Sequence, residues 1–143
     1  MNNTNFINIK DFIKLIVEFE NDSAEFYRSL LEKTDKFEVT EMLKLLEKQE
    51  KHHARIIDEF DYSFMADAML QFAPDFKLSM PTLTKDNPTL DELLELAVNR
   101  EIKAAEIYEG AAGQTRGDLK KLFEGLAVFE REHEERLKKM RLY

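Results

Sequence analysis
The chain has 143 residues, with 21 basic and 29 acidic side chains, a formal charge of −8 and 43% apolar content. That length suits a single domain over residues 1–143, and the apolar fraction argues against disorder even at 35% charged residues. The acidic balance disfavours nucleic acid and anionic membrane surfaces as partners. The absence of cysteine rules out disulfides, iron–sulfur clusters, Cys-ligated zinc and thiol nucleophiles in these residues.

Glu, Lys, Leu and Ala are abundant while Gly (4) and Pro (3) are scarce, which predicts an all-α fold. The first helix is expected from about Ile9 to Lys33, with Asn8 as N-cap and Asp11 three residues on. The second is expected from about Lys36 to Phe60, with Asp35 and Glu38 forming a capping box. About 27 residues, Asp61 to Asn87, then lead to the third helix, which Thr89 and Glu92 open with the same signature. It continues to about Ala112, with Gly113 as the C′ residue. The fourth helix runs from Thr115 or Asp118 to Arg141. Short first and third connections make two antiparallel hairpins. At ~3.3 Å per residue the long middle connection easily covers the ~37 Å of a 25-residue helix, so it reads as a crossover. Its apolar side chains (Phe64, Met65, Met69, Leu70, Phe72, Phe76, Leu78 and Met80) are expected to pack on the bundle. Met1 to Lys14 lacks the features of a signal peptide, and no apolar run approaches the ~20 residues of a membrane span. Together with the missing cysteines, this fits a cytoplasmic protein.

Two of the three histidines lie in one motif: Glu50-x-x-His53 and Glu130-x-x-His133. On a helix, residues i and i+3 share a face, so each pair can offer an oxygen and a nitrogen to one metal ion. The other two helices carry Glu20 seven residues before Tyr27 and Glu101 seven before Tyr108. Glu20 and Tyr27 are offset by 81 from Glu101 and Tyr108, and Glu50 and His53 by 80 from Glu130 and His133. The hairpin is therefore an internal repeat that keeps four polar residues in both copies.

Glutamate is 19 of 143 residues, so a histidine has one three positions earlier about one time in eight by chance. A lone Glu-x-x-His is more often a solvated helix face. The surroundings decide between the readings. Glu20 lies on a stripe with Ile13, Ile16, Ser23/Ala24, Tyr27 and Leu31. Glu50 lies among Leu43, Leu46 and Ile57, Glu101 among Leu94, Ala97, Ala104 and Tyr108, and Glu130 among Phe123, Leu126, Leu137 and Met140. Periodicity thus sends four carboxylates to the core, where they need compensating positive charge. No Lys or Arg is expected on these stripes near them, so metal is the economical answer. Two divalent cations would cancel four carboxylates and leave a net charge of about −4. His52 points off the stripe to the surface. Tyr27 and Tyr108 read either as ordinary core residues or as hydrogen-bond donors to the carboxylates.

The segments EFENDSAEFY, LLEKQEKHH, NREIKAAEIY and LAVFEREH resemble the rubrerythrin branch of the ferritin-like di-iron carboxylate superfamily. The resemblance covers residues 9 to 141 and is weakest in the crossover. It implies a ferritin-like four-helix bundle with Glu20, Glu50, His53, Glu101, Glu130 and His133 as metal ligands, Glu50 and Glu130 bridging. It also implies two iron ions as cofactor, with manganese or another transition metal as the alternative, and dioxygen or hydrogen peroxide as substrate. Full-length rubrerythrins add a Cys-rich rubredoxin domain that this sequence lacks, so electrons would come from an external carrier such as a rubredoxin-like protein. Rubrerythrins proper also carry a further glutamate on the third helix, where this chain has Ala104; the equivalent place on the first helix is Ser23. Bacterioferritins share the six-ligand scheme but add a fifth helix, so a storage cage is not expected, while a homodimer remains open. The expected function is that of an oxidoreductase. Its rivals are iron buffering of ferroxidase type, manganese catalase-like disproportionation, a di-iron hydroxylase and a metal-free interaction domain.

Overall fold
The computed structural model describes residues 5–72 and 86–143. A short strand, β1 (Asn5–Asn8), leads directly into the first helix, α1 (Ile9–Leu30). Asn8 is the cap: its side-chain oxygen accepts a hydrogen bond from the Asp11 N–H at 2.8 Å. A 3₁₀ turn, Leu31–Lys33, follows. The buried stripe of α1 therefore ends at Leu30 and not at Leu31, which is only partly buried in the tightened turn.

The second helix, α2, spans Phe37–Glu59. The expected Asp35–Glu38 capping box does not form. The helix starts late enough that Lys36 occupies the cap position, without a side-chain cap bond, and Thr34 Oγ1 accepts from the Lys36 N–H at 3.2 Å. In the third helix, α3 (Leu90–Ala112), both bonds of the Thr89–Glu92 capping box are present. Gly113 is not a left-handed C′ residue but the C-cap itself, at φ −67°. The left-handed glycine is Gly117, at φ 63°, which turns the chain into the fourth helix, α4 (Gly117–Met140).

The crossover begins with a second 3₁₀ turn, Ser63–Met65, and contains a strand that the sequence did not announce, β2 (Met69–Phe72). It pairs antiparallel with β1 in the register Asn5↔Phe72 to Asn8↔Met69. Its outer edge is closed by Gln114, whose side-chain amide accepts from the Gln71 N–H at 2.7 Å and donates to the Gln71 carbonyl at 2.9 Å. Leu70 is fully buried and Phe72 stacks on Phe12 at 5.4 Å, but Phe64 and Met69 are exposed. Phe76, Leu78 and Met80 lie outside the described residues.

The apolar core falls into two parts. One, beside the strand pair, gathers Ile9, Phe12, Ile16, Ile57, Leu70 and Phe123 with their neighbours. The other, at the far end, gathers Leu30, Leu43, Leu46, Leu94, Leu137 and Met140 with theirs. Along every helix the boundary between the two parts falls at one of the glutamates of the repeat. The four-helix architecture thus places a polar layer between two apolar ones.

Candidate metal centre
Glu20, Glu50, Glu101, Glu130 and His133 are at most 1% exposed, and His53 is 3% exposed. Each arrives from the middle of its helix on the buried face, where residues three and four apart share a side. Ligand atoms of Glu20, Glu50, His53 and Glu130 all lie within 4.8 Å of one another, and so do those of Glu50, Glu101, Glu130 and His133. Glu50 and Glu130 belong to both groups. His133 Nδ1 is 2.7 Å from Glu50 Oε1, 3.8 Å from Glu101 Oε2 and 3.9 Å from Glu130 Oε2. His53 Nδ1 is 3.9 Å from Glu20 Oε2, and the two imidazole rings lie almost parallel at 5.8 Å.

Apart from the 2.7 Å approach of His133 Nδ1 to Glu50 Oε1, which lacks hydrogen-bond geometry, these atoms face one another without partners. Glu20 Oε2, both oxygens of Glu50 and of Glu130, Glu101 Oε2 and the Nδ1 atoms of both histidines are buried and unpaired. Leaving so many acceptors buried and empty costs far more than a fold normally tolerates. Burial, reinforced by the negative charges of Glu50 and Glu101, pushes the Glu20 carboxyl well above its ordinary range, and the Tyr108 hydrogen bond acts against this. Burial, with the Glu101 charge adding to it, pushes Glu50 up to about 8. Burial, together with His133 and His52, brings His53 down to about 4. Carboxylates that resist ionisation, facing the neutral imidazole of His53, are what divalent cations relieve. The donor set of oxygens and imidazole nitrogens therefore fits a pair of transition-metal ions.

The tyrosines complete the layer crosswise. The Tyr27 hydroxyl donates to Glu101 Oε1, and the Tyr108 hydroxyl donates to Glu20 Oε1 at 2.6 Å. Each tyrosine serves the glutamate of the other hairpin, so α1 and α3 run antiparallel and each outer carboxylate keeps one oxygen free. Burial, then the Glu101 charge for Tyr27 and the Glu20 charge for Tyr108, holds both hydroxyls protonated well beyond the usual range. The bonds fix where the carboxylates point.

Gln49 and Arg100, near the centre, escaped the sequence reading, and Ser23 was read there only by its place on the stripe. Gln49 Oε1 lies 2.9 Å from His133 Nε2 and accepts from Arg136 at 3.0 Å, orienting the ring. Ser23 and Arg100 are buried at 0% and 1%. Arg100, next to Glu101 in the chain, is a buried cation beside the ligand stripes rather than on them. Arg100 lies beside Ala97 and Ala104, and these small side chains let α3 bury an arc wider than one stripe. His52 is exposed.

The rubrerythrin family model matches residues 92–141, most of α3 and all of α4. That half of the bundle is similar to the rubrerythrin family. Its fold is shared with a presumed ferritin-like diiron-carboxylate protein from Thermotoga maritima: the TM-score is 0.77 at 23% identity, over 94% of this chain and 95% of that one. At that identity the likeness speaks for the fold. No curated protein matches the chain. Among the described residues, no helix is long and apolar enough to cross a membrane.

Proposed function
We propose that the cluster holds two iron ions and that the chain is a cytoplasmic redox protein, taking electrons from an external carrier and delivering them to hydrogen peroxide or dioxygen. The observation that carries this reading is the pair of overlapping ligand groups, with Glu50 and Glu130 common to both. Glu20 and His53 would complete one position, and Glu101 and His133 the other. The diiron-carboxylate description of the Thermotoga neighbour supports the same assignment. Bound there, the metal pair supplies two electrons; with two protons these reduce one peroxide to two waters.

The chain's own residues shape what can happen at the pair. Tyr27 and Tyr108 hold the outer carboxylates by one oxygen and leave the other free for metal. The apolar layers on both sides exclude bulk water and larger molecules, which favours a small oxidant. Gln49 holds His133 through Nε2 and leaves Nδ1 facing the centre.

The test is elemental analysis of protein purified without added metal, then anaerobic reduction and titration with peroxide. The reading expects about one equivalent of peroxide to oxidise the reduced centre and a small electron carrier to restore it through repeated cycles. A single oxidation that no carrier reverses would make iron buffering the better account. Rapid peroxide loss without any reductant would point instead to manganese catalase-like chemistry.

A further inference from the structure
Among the described residues, Arg100 is the only buried arginine or lysine. No ion pair to a carboxylate accompanies it there. Its guanidinium lies 4.3 Å over the Phe19 ring, and Nη2 donates to Ser23 Oγ at 2.5 Å and to the Phe19 carbonyl at 3.4 Å. Ser23 itself donates to that carbonyl at 2.8 Å. Nε and Nη1 are buried with no hydrogen-bond partner. A buried cation contacting only neutral groups costs several kcal/mol, and an apolar side chain of similar length would avoid that cost.

Its position explains why the charge is worth having. Arg100 immediately precedes Glu101, and its two anchors, Phe19 and Ser23, flank Glu20 on α1. In the internal repeat, the counterpart of Arg100 is Phe19 and that of Ser23 is Ala104, each offset by 81. The two halves of the bundle otherwise present matching ligands, so this contact breaks the symmetry of the centre by one positive charge.

We propose that Arg100, seated on Phe19 and tethered by Ser23, is a positioning residue that acts as a fixed cation on the metal pair and favours its reduced state. The inference rests on the metal-centre reading above. Two divalent ions and four carboxylates cancel, so with Arg100 the loaded centre carries a net charge of about +1. Oxidation adds positive charge beside a cation that solvent and salt screen poorly, and it becomes harder. An uncharged side chain at this position makes it easier.

The test compares Arg100→Met, which removes the charge and keeps the length, with Arg100→Lys, which keeps the charge. Each protein is loaded anaerobically with iron, its metal content is counted, and it is equilibrated with redox mediators at a fixed potential. With two ions per chain in all three proteins, the ratio of oxidised to reduced centre in Arg100→Met should rise at least tenfold, about 30 mV for the two-electron couple. Arg100→Lys should stay within about threefold of the unsubstituted chain. An unchanged ratio in Arg100→Met at full loading overturns the inference alone, as does an equal shift in both variants, which would make shape the cause. If neither Arg100 variant folds, Ser23→Ala decides: loss of the tether should shift the ratio in the same direction, and an unchanged ratio refutes it. An unsubstituted chain that binds no metal overturns the parent reading and this one with it.

Discussion

Removing the metal should make stability depend on pH in a direction opposite to that of ordinary surface carboxylates. In the metal-free protein Glu50 titrates at about 8 against an ordinary 4.5, so the folded state holds a proton that the unfolded state has lost. A raised folded value means that the stability is fully present below pH 4.5 and disappears as pH climbs through 8. At ~1.4 kcal/mol per pH unit, that shift amounts to on the order of 5 kcal/mol by pH 8. Glu20 is raised as well and adds to the loss. His53 works in the other direction: lowered from 6.5 to about 4, it contributes stability present above pH 6.5 and lost as pH falls through 4. Between pH 4.5 and 6.5 two raised glutamates outweigh the one lowered histidine, so the chelated protein should be most stable near pH 4.5 and lose stability steadily above it. With about 3 °C per kcal/mol for a chain of this size, it should melt on the order of 15 °C lower at pH 8. Metal-loaded protein should show little of this decline, because the ions neutralise the carboxylates directly, and the two curves should converge towards pH 5 as protons displace metal. Melting followed by far-ultraviolet circular dichroism, with and without chelator from pH 5 to 8, measures both curves. A chelated protein whose melting temperature stays level or rises over that range would refute the idea that these carboxylates are buried for metal.

Three more outcomes follow from the geometry. Glu50→Ala and Glu130→Ala should each cost metal at both positions, while His53→Ala should weaken mainly one, as counted by elemental analysis after dialysis. Tyr108→Phe removes the 2.6 Å bond to Glu20 and should weaken metal binding roughly 10–100-fold while leaving the circular dichroism spectrum unchanged. Phe123 is fully buried and meets Phe12 edge-on at 5.5 Å, so Phe123→Ala should lose about 3–5 kcal/mol in urea denaturation.

The helices were legible because amphipathic periodicity and side-chain caps are local properties. Asn8 and Thr89 each declare a helix start within four residues of sequence, and both caps form as expected. The Asp35–Glu38 pair shows the limit of such signals. A cap is set by where the helix actually begins, and a start at Phe37 leaves Asp35 outside it. The strand pair was invisible for a different reason. Asn5–Asn8 and Met69–Phe72 are four residues each and about sixty apart, too short for alternation to register and too distant for a turn motif to link them. Their pairing is a tertiary event, held by Leu70 in the core and by Gln114 at the outer edge.

At the centre, the residues that could be read were those duplicated by the repeat. Glu20, Glu50, His53, Glu101, Glu130 and His133 recur at offsets of 81 on one helix of the hairpin and 80 on the other, and these offsets single them out from the other glutamates of a charged chain. Arg100, Ser23 and Gln49 could not be found this way because the repeat does not duplicate them: Phe19 faces the arginine and Ala104 matches the serine. The same asymmetry holds a usable signal. Where two copies of a hairpin agree on ligands, a position at which one copy carries a charge and the other an aromatic ring marks where the halves must differ. Arg100 and Phe19 differ by stacking on each other across the pseudo-symmetric layer. Arg100 lies off the Glu101 stripe, but the alanines beside it widen the buried face of α3 enough to take the guanidinium inside. A repeat therefore reports twice: its matches give the ligands, and its mismatches beside those ligands give the charges that tune them.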